Sequence, residues 1–271
     1  MQLTKQELDV GVATPAIQAA TAFYKDLLGF EELGSASMGA VGKLTRLRVG
    51  NHVLKLYDFA RAPERVEGGT DKANGMRLLA FILDDLDSVL SRFDAAGHPY
   101  TRLALPESST FRVAFTSDAD GNALELVGLK SAPGERLTTR MQVGLTVADV
   151  QRSRGFYGEL LGLKEEPPMK LPASMNTVGN VRYGFVLGAT TIKFWSKGEL
   201  PTKSGAPARY TGIRLITAHV EDTDAMHEQL VRRGVEITVP PHDFEGLARV
   251  MFIKDPDGNF IEFASPLRKS S

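Results

Sequence analysis

Ser117-Asp118-Ala119-Asp120-Gly121-Asn122-Ala123-Leu124-Glu125-Leu126 recurs 137 residues later as Lys254-Asp255-Pro256-Asp257-Gly258-Asn259-Phe260-Ile261-Glu262-Phe263. Each copy reads as a tight turn followed by a strand. Asp-Gly-Asn supplies residues that tolerate positive φ, and an Asp side chain caps the backbone of such a turn. After the turn, apolar residues bracket one carboxylate. On a pleated strand Glu125 shares a face with Ala123 and Val127, and Glu262 shares one with Phe260 and Ala264. A lone Glu among apolar neighbours needs a partner, because an unpaired buried charge is costly.

The repetition extends further. Phe23-Tyr24-Lys25-Asp26-Leu27-Leu28-Gly29-Phe30 returns 133 residues later as Phe156-Tyr157-Gly158-Glu159-Leu160-Leu161-Gly162-Leu163. Two markers with nearly equal offsets indicate homologous halves in tandem. The expected division is an N-terminal domain over 1–130, a linker over 131–139 and a C-terminal domain over 140–271. The linker is polar and holds Pro133 and Gly134. Within each half the order strand, helix, three strands occurs twice, giving modules near 8–58, 76–128, 141–196 and 211–264. The spacing predicts a first helix over 15–28, with Pro15 at its start and Gly29 as its stop. The proline-bearing stretches 167–179 and 239–246 read as loops, the second as a lid carrying His242.

Of the 271 residues, 42% are apolar and 24% charged, and the net charge is −1. That balance offers no electrostatic case for nucleic acid or an anionic membrane. The chain has no cysteine, which excludes disulfides, thiolate metal sites and cysteine nucleophiles. The polar start lacks the apolar core of a signal peptide, and the apolar run 78–83 is far below the roughly 20 residues a membrane span needs. The expectation is a cytoplasmic monomer or homodimer whose partner is a small molecule. The Gly-Ala-Val-Gly at 39–42 lacks the helix that a phosphate-binding loop requires, and no nucleophile elbow is visible.

A short strand, a helix ending in FYxxLLG and a terminal DxDGNxxE resemble the vicinal-oxygen-chelate superfamily. That group includes glyoxalase I, extradiol dioxygenases, epimerases and bleomycin-resistance proteins. The resemblance implies an α+β fold of two tandem domains, each made of two βαβββ modules forming a cup-shaped mixed sheet. It also implies a metal in the cup, with ligands from the first and fourth strands of each module. Matched to that pattern, Asp9 and Gln142 take the first ligand position and Lys55 and Lys193 the second. Leu78 and Leu215 take the third, and Glu125 and Glu262 the last. Leucine cannot coordinate, and a lysine ammonium has no free lone pair. The expectation is therefore that Lys55 neutralises Glu125 and Lys193 neutralises Glu262, each ammonium standing in for the metal charge. The disfavoured alternative is a divalent metal held weakly by Gln142 and Glu262, or by Asp9 and Glu125.

Pairing modules within each half places Asp9, Lys55, Tyr57, Leu78, Ala80, Ile82 and Glu125 in a first cup. It places Gln142, Lys193, Trp195, Leu215, Thr217, His219 and Glu262 in a second, more polar one. The expected catalytic residues are Glu262, Lys193, Gln142 and His219. The expected substrate contacts are Trp195, Thr217, Arg249, Phe260, Tyr57 and Lys55. For Arg112 and Arg249, salt bridges to neighbouring turns are the competing reading. Three functional readings follow. The resemblance suggests a glyoxalase-like lyase or isomerase acting on a small oxygenated carbonyl compound, aromatic or not. Glu262 would then move a proton beside the carbonyl while Lys193 stabilises the enolate. The second reading is a metal-free binder of drug-like molecules. Extradiol ring cleavage ranks last, since neither cup shows two histidines and a carboxylate.

Overall fold

Four βαβββ modules follow one another in the computed structural model, which describes residues 1–61, 63–129, 139–171, 181–244 and 246–267. Module 1 holds β1 (Asp9–Ala13), α1 (Ile17–Ala22), β2 (Glu31–Ser37), β3 (Gly42–Val49) and β4 (His52–Phe59). Module 2 holds β5 (Gly75–Leu83), α2 (Leu86–Ala96), β6 (Thr101–Arg102), β7 (Phe111–Ser117) and β8 (Ala123–Leu129). Module 3 holds β9 (Arg140–Thr146), α3 (Val150–Arg154), β10 (Lys164–Lys170), β11 (Val181–Leu187) and β12 (Thr190–Trp195). Module 4 holds β13 (Gly212–His219), α4 (Thr223–Arg232), β14 (Ile237–Phe244), β15 (Ala248–Lys254) and β16 (Phe260–Ser265). The linker expected over 131–139 lies, apart from Thr139, outside the described residues, as does 172–179 of the first proline-bearing stretch.

The strands form two mixed eight-stranded sheets, ordered β14-β15-β16-β13-β1-β4-β3-β2 and β10-β11-β12-β9-β5-β8-β7-β6. The first sheet joins modules 1 and 4 through antiparallel β1 and β13, and the second joins modules 2 and 3 through antiparallel β5 and β9. Each cup is thus shared between the two halves of the chain, which corrects the residue sets expected from pairing within a half. The physical reason is that the repeat pattern is the same for either pairing, and long-range contacts choose between them. The crossovers between modules 1 and 2 and between modules 3 and 4 run side by side, with bridges Glu64–Tyr210 and Asn74–Thr202.

The buried apolar side chains of both halves form one core, within which each half binds its own repeat motifs together. The helix expected over 15–28 starts at Ile17 and widens into a π-turn over Phe23–Leu27. Such turns occur as single inserts in α-helices, and α3 widens in the same way over Gly155–Leu160. Each π-turn carries a buried tyrosine. Tyr24 donates to Asp118 at 2.7 Å and Tyr157 to Asp255 at 2.8 Å. The two repeated sequence motifs are therefore bonded to each other within each half. Asp255 also accepts from the backbone N–H groups of Asp257 and Asn259, which closes the turn that Gly258, at φ 82°, makes feasible. Phe81 of β5 packs edge-on against Tyr24 and Phe30. Helices α2, α3 and α4 begin on side-chain caps, Asp85, Asp149 and Asp222.

Parts of the two stretches expected as loops, 167–170 and 239–244, are strands. Pro167-Pro168 lie in β10 and Pro240-Pro241 in β14, each at one end of its sheet. Both strands shift register at the prolines. Proline cannot donate to a ladder, so a sheet edge with a bulge is where it is tolerated. Among the described residues no helix is long and apolar enough to cross a membrane.

Candidate functional site: two unequal cups

Directly opposed residues on paired strands point to the same face. In the sheet of modules 1 and 4, Asp9, Thr217 and Glu262 form one such row. In the sheet of modules 2 and 3, the equivalent row is Gln142, Ala80 and Glu125. The lysines follow the sheets. Lys55 donates to Thr217 Oγ1 at 2.9 Å and lies 3.5 Å from Glu262, while Lys193 donates to Glu125. Lysine–glutamate pairing is as expected, but the partners are exchanged: Lys55 does not meet Glu125, nor Lys193 Glu262. Gln142, Lys193 and Trp195 consequently share one cup, and Thr217, His219, Phe260 and Glu262 share the other with Asp9, Lys55 and Tyr57.

The interior of the cup of modules 1 and 4 is crossed by a network of its own side chains, and its rim residues Lys5 and His219 border an open surface pocket. Asp9 accepts from Lys5, from the Val53 N–H at 2.9 Å, and pairs with His219 Nε2 at 2.7 Å. Burial works against the Asp9 charge, but His219, Lys55 and Lys5 together outweigh it and hold the pKa at about 2. Burial likewise opposes the Lys55 charge, yet Glu262, Tyr57 and Asp9 raise its pKa above the ordinary value. Thr217 links the system by donating to Glu262 at 2.5 Å. A Cβ at Gly11 would lie 2.7 Å from the Tyr57 ring and 3.1 Å from Leu215, so glycine is what lets the ring enter. Phe260 stands 6.1 Å from Phe252, with the Lys254 ammonium 5.0 Å from its centroid.

The cup of modules 2 and 3 encloses a cavity of about 320 Å³. Ala123 takes the position that Phe260 occupies in the other cup, and Ala80 the position of Thr217, which leaves room and removes a hydroxyl. Leu78, Leu103, Phe111, Val113, Phe115, Met169 and Trp195 supply an apolar wall, and Lys193 and Glu125 lie in it. Trp195 is buried and donates its indole N–H to Thr146 at 3.1 Å. A Cβ at Gly144 would meet the indole at 2.6 Å, repeating the Gly11–Tyr57 arrangement. Arg182 also lines the cavity and is held by Glu166 at 3.0 Å. Sequence reading missed Leu103, Phe111, Val113, Phe115 and Arg182. The alternation of Phe111, Val113 and Phe115 along β7 is a signal that could have found three of them.

Arg249 lies outside both cups. It binds Asp224 of α4 at 2.6 Å and Asp243 at 2.8 Å, so the salt-bridge reading replaces the substrate contact. Arg112 likewise binds Asp87 at the start of α2. His242 Nδ1 lies 3.0 Å from the Pro240 carbonyl on edge strand β14.

These donor sets do not fit a metal. Gln142 and Glu262 belong to different cups, as do Asp9 and Glu125, so neither sequence-derived ligand pair is assembled. Each surviving glutamate faces a lysine, and the third position of each cup is leucine. Among the described residues no group of three His, Cys, Asp or Glu side chains could hold an ion.

Known proteins share this architecture. Glyoxalase I from Zea mays superposes with a TM-score of 0.72 at 18% identity, covering 97% of this chain and 92% of that one. A putative dioxygenase from Bacillus subtilis reaches 0.67 at 14% identity, covering 98% and 86%. At these identities the likeness is one of fold. In sequence, the uncharacterized protein YaeR of Escherichia coli K12 is 29% identical over 126 residues, which is 45% of this chain and 95% of YaeR. A family model matches residues 8–126 and 140–263, once in each half. The chain belongs to the Glyoxalase/Bleomycin resistance protein/Dioxygenase superfamily.

Proposed function

We propose that the cup of modules 2 and 3 is the working site, and that it takes a small, mostly apolar carbonyl compound. The observation that carries this reading is the cavity of about 320 Å³ whose apolar wall holds one ammonium–carboxylate pair, Lys193 and Glu125. Small-molecule sites typically combine an apolar enclosure with a few convergent polar groups. The carbonyl oxygen of the ligand lies against Lys193. Glu125 takes the proton from the carbon beside the carbonyl, the electrons pass to the oxygen as an enolate, and Lys193 stabilises that charge. Return of the proton to a carbon completes an isomerisation. The role expected of Glu262 thus passes to Glu125. Asp9, His219 and Glu262 belong to the cup of modules 1 and 4 and take no part. The reaction class is glyoxalase-like lyase or isomerase chemistry with an ammonium as the electrophile.

The test uses phenylpyruvate, a small aromatic carbonyl compound, in deuterated buffer. Enzyme-dependent deuterium incorporation beside its carbonyl is expected for the wild type. Loss of about 10² to 10⁴-fold is expected in Glu125→Gln, the range of a positioned general base. Exchange that survives undiminished in Glu125→Gln sinks the proton-transfer role. A second reading, metal-free sequestration, is favoured by the near-continuous apolar lining. It predicts saturable binding and stabilisation by the ligand without exchange.

A further inference from the structure

Gly75-Met76-Arg77-Leu78 and Gly212-Ile213-Arg214-Leu215 are repeat equivalents, opening β5 and β13. Both arginines are nearly inaccessible, at 5% and 3% exposure. Neither forms an ion pair among the described residues. Arg77 donates to the carbonyls of Gly69 and Glu67, and Arg214 to the carbonyl of Lys203. The Glu67 carboxylate is exposed and lies 3.4 Å from Lys72. Lys203, paired with Glu64 at 2.9 Å, and Arg209 lie over the same Tyr210 ring as Arg214, at 5.3, 4.9 and 5.8 Å from its centroid.

Two nitrogens of Arg214, Nε and Nη2, are buried with no hydrogen-bond partner among the described residues. They form the edge of the guanidinium that grips an anion in bidentate fashion. A Cβ at Gly212 would meet Asn122 Oδ1 at 2.8 Å and Arg214 Nη2 at 3.3 Å, so glycine keeps a side chain off that edge. Burial, and then the neighbouring Arg77, push the Arg214 pKa down to about 9. Arginine keeps its proton in proteins, so relief by deprotonation is not available. A buried cation with unmet donors, facing a second cation, calls for negative charge.

We propose that Arg214, supported by Arg77, binds a small inorganic anion of chloride size where the two sheets meet. The site lies outside both cups and does not depend on their chemistry. Its occupant fastens β13 to β5 and so couples the two halves of the chain.

The experiment measures the thermal midpoint at constant ionic strength while sodium chloride replaces sodium gluconate. For the wild type the midpoint should rise with the logarithm of chloride concentration, as mass action requires for a ligand of the folded state. In Arg214→Met the chloride dependence should vanish. If that variant fails to fold, Arg214→Lys keeps the charge and loses the fork, and its chloride slope should be reduced. Crystals grown in bromide should show an anomalous peak within hydrogen-bonding distance of Arg214 Nε and Nη2. A midpoint indifferent to the anion, an equal chloride slope in Arg214→Lys, or water without anomalous signal at that edge would each overturn the proposal.

Discussion

Lys193 and Glu125 stand 68 residues apart, on the fourth strand of module 3 and the last strand of module 2, and form a buried ion pair in the wall of the cavity. In the proposed function the ammonium takes the place that the resemblance assigns to a metal charge. Such a pair gives little net stability, because desolvation offsets its attraction. Breaking it is another matter. Lys193→Met alone should destabilise the protein by about 3 to 5 kcal/mol, since Glu125 is left charged and unpaired. Adding Glu125→Leu should recover most of that loss. Urea unfolding of both variants checks this, and simple additivity of two losses would refute it.

Ala123 and Phe260 are repeat equivalents, and the smaller one opens the cavity. Ala123→Phe should fill it with little effect on the other cup. Trp195, the single tryptophan, lines that cavity, so its fluorescence reports occupancy there. A saturable change with phenylpyruvate should weaken at least about tenfold in Ala123→Phe, the cost of roughly 1.4 kcal/mol of lost contact. Unchanged affinity would place the ligand elsewhere.

Asp9 carries the pH dependence of the cup of modules 1 and 4. Its folded-state pKa, about 2, lies below the ordinary carboxylate value. A depressed carboxylate contributes stability that is present above the unfolded pKa and is lost as pH falls through the folded one. Between about pH 4 and pH 2 the wild type should therefore lose stability more steeply than Asp9→Asn. Unfolding free energies measured across that window test the difference, and parallel curves would count against the network.

Tyr157 and Tyr24 tie the repeated helix motif to the repeated turn motif. Removing either hydroxyl leaves a buried aspartate short of one donor, at a cost of about 1 to 3 kcal/mol. Tyr24→Phe and Tyr157→Phe should each show that loss in chemical denaturation. The double variant should be additive, because the two bonds lie in separate halves and share no partner.

Much of this molecule was legible in the sequence. The Asp-Gly-Asn turns and the FYxxLLG helices marked four modules, and period-two alternation put Glu125 and Glu262 on inward faces. The cost of a lone buried charge called for a partner to each glutamate, and the resemblance put lysines at the matching positions. Which lysine meets which glutamate did not follow, because Lys55 and Lys193 occupy equivalent positions in equivalent modules. Only the pairing of β1 with β13 and of β5 with β9 distinguishes them, and nothing local encodes it. The cups were read as unequal from the sequence, but Gln142, Lys193 and Trp195 were grouped with His219 and Glu262 for the same reason. Ala123 is read as spacious only once it is seen facing Leu78 and Trp195 rather than the Tyr57 side of the fold. Arg77 and Arg214 carried no recognisable motif, and their significance appears only when both prove buried without an ion-pair partner among the described residues.

The claim that an ammonium serves in this cup where relatives are expected to use a metal is tested most directly by deuterium exchange into phenylpyruvate on chelator-treated protein. Exchange should be unchanged by chelation, indifferent to added magnesium, manganese, nickel or zinc, and lost in Lys193→Met. Loss on chelation with recovery on adding one of these ions, or full exchange in Lys193→Met, would contradict it.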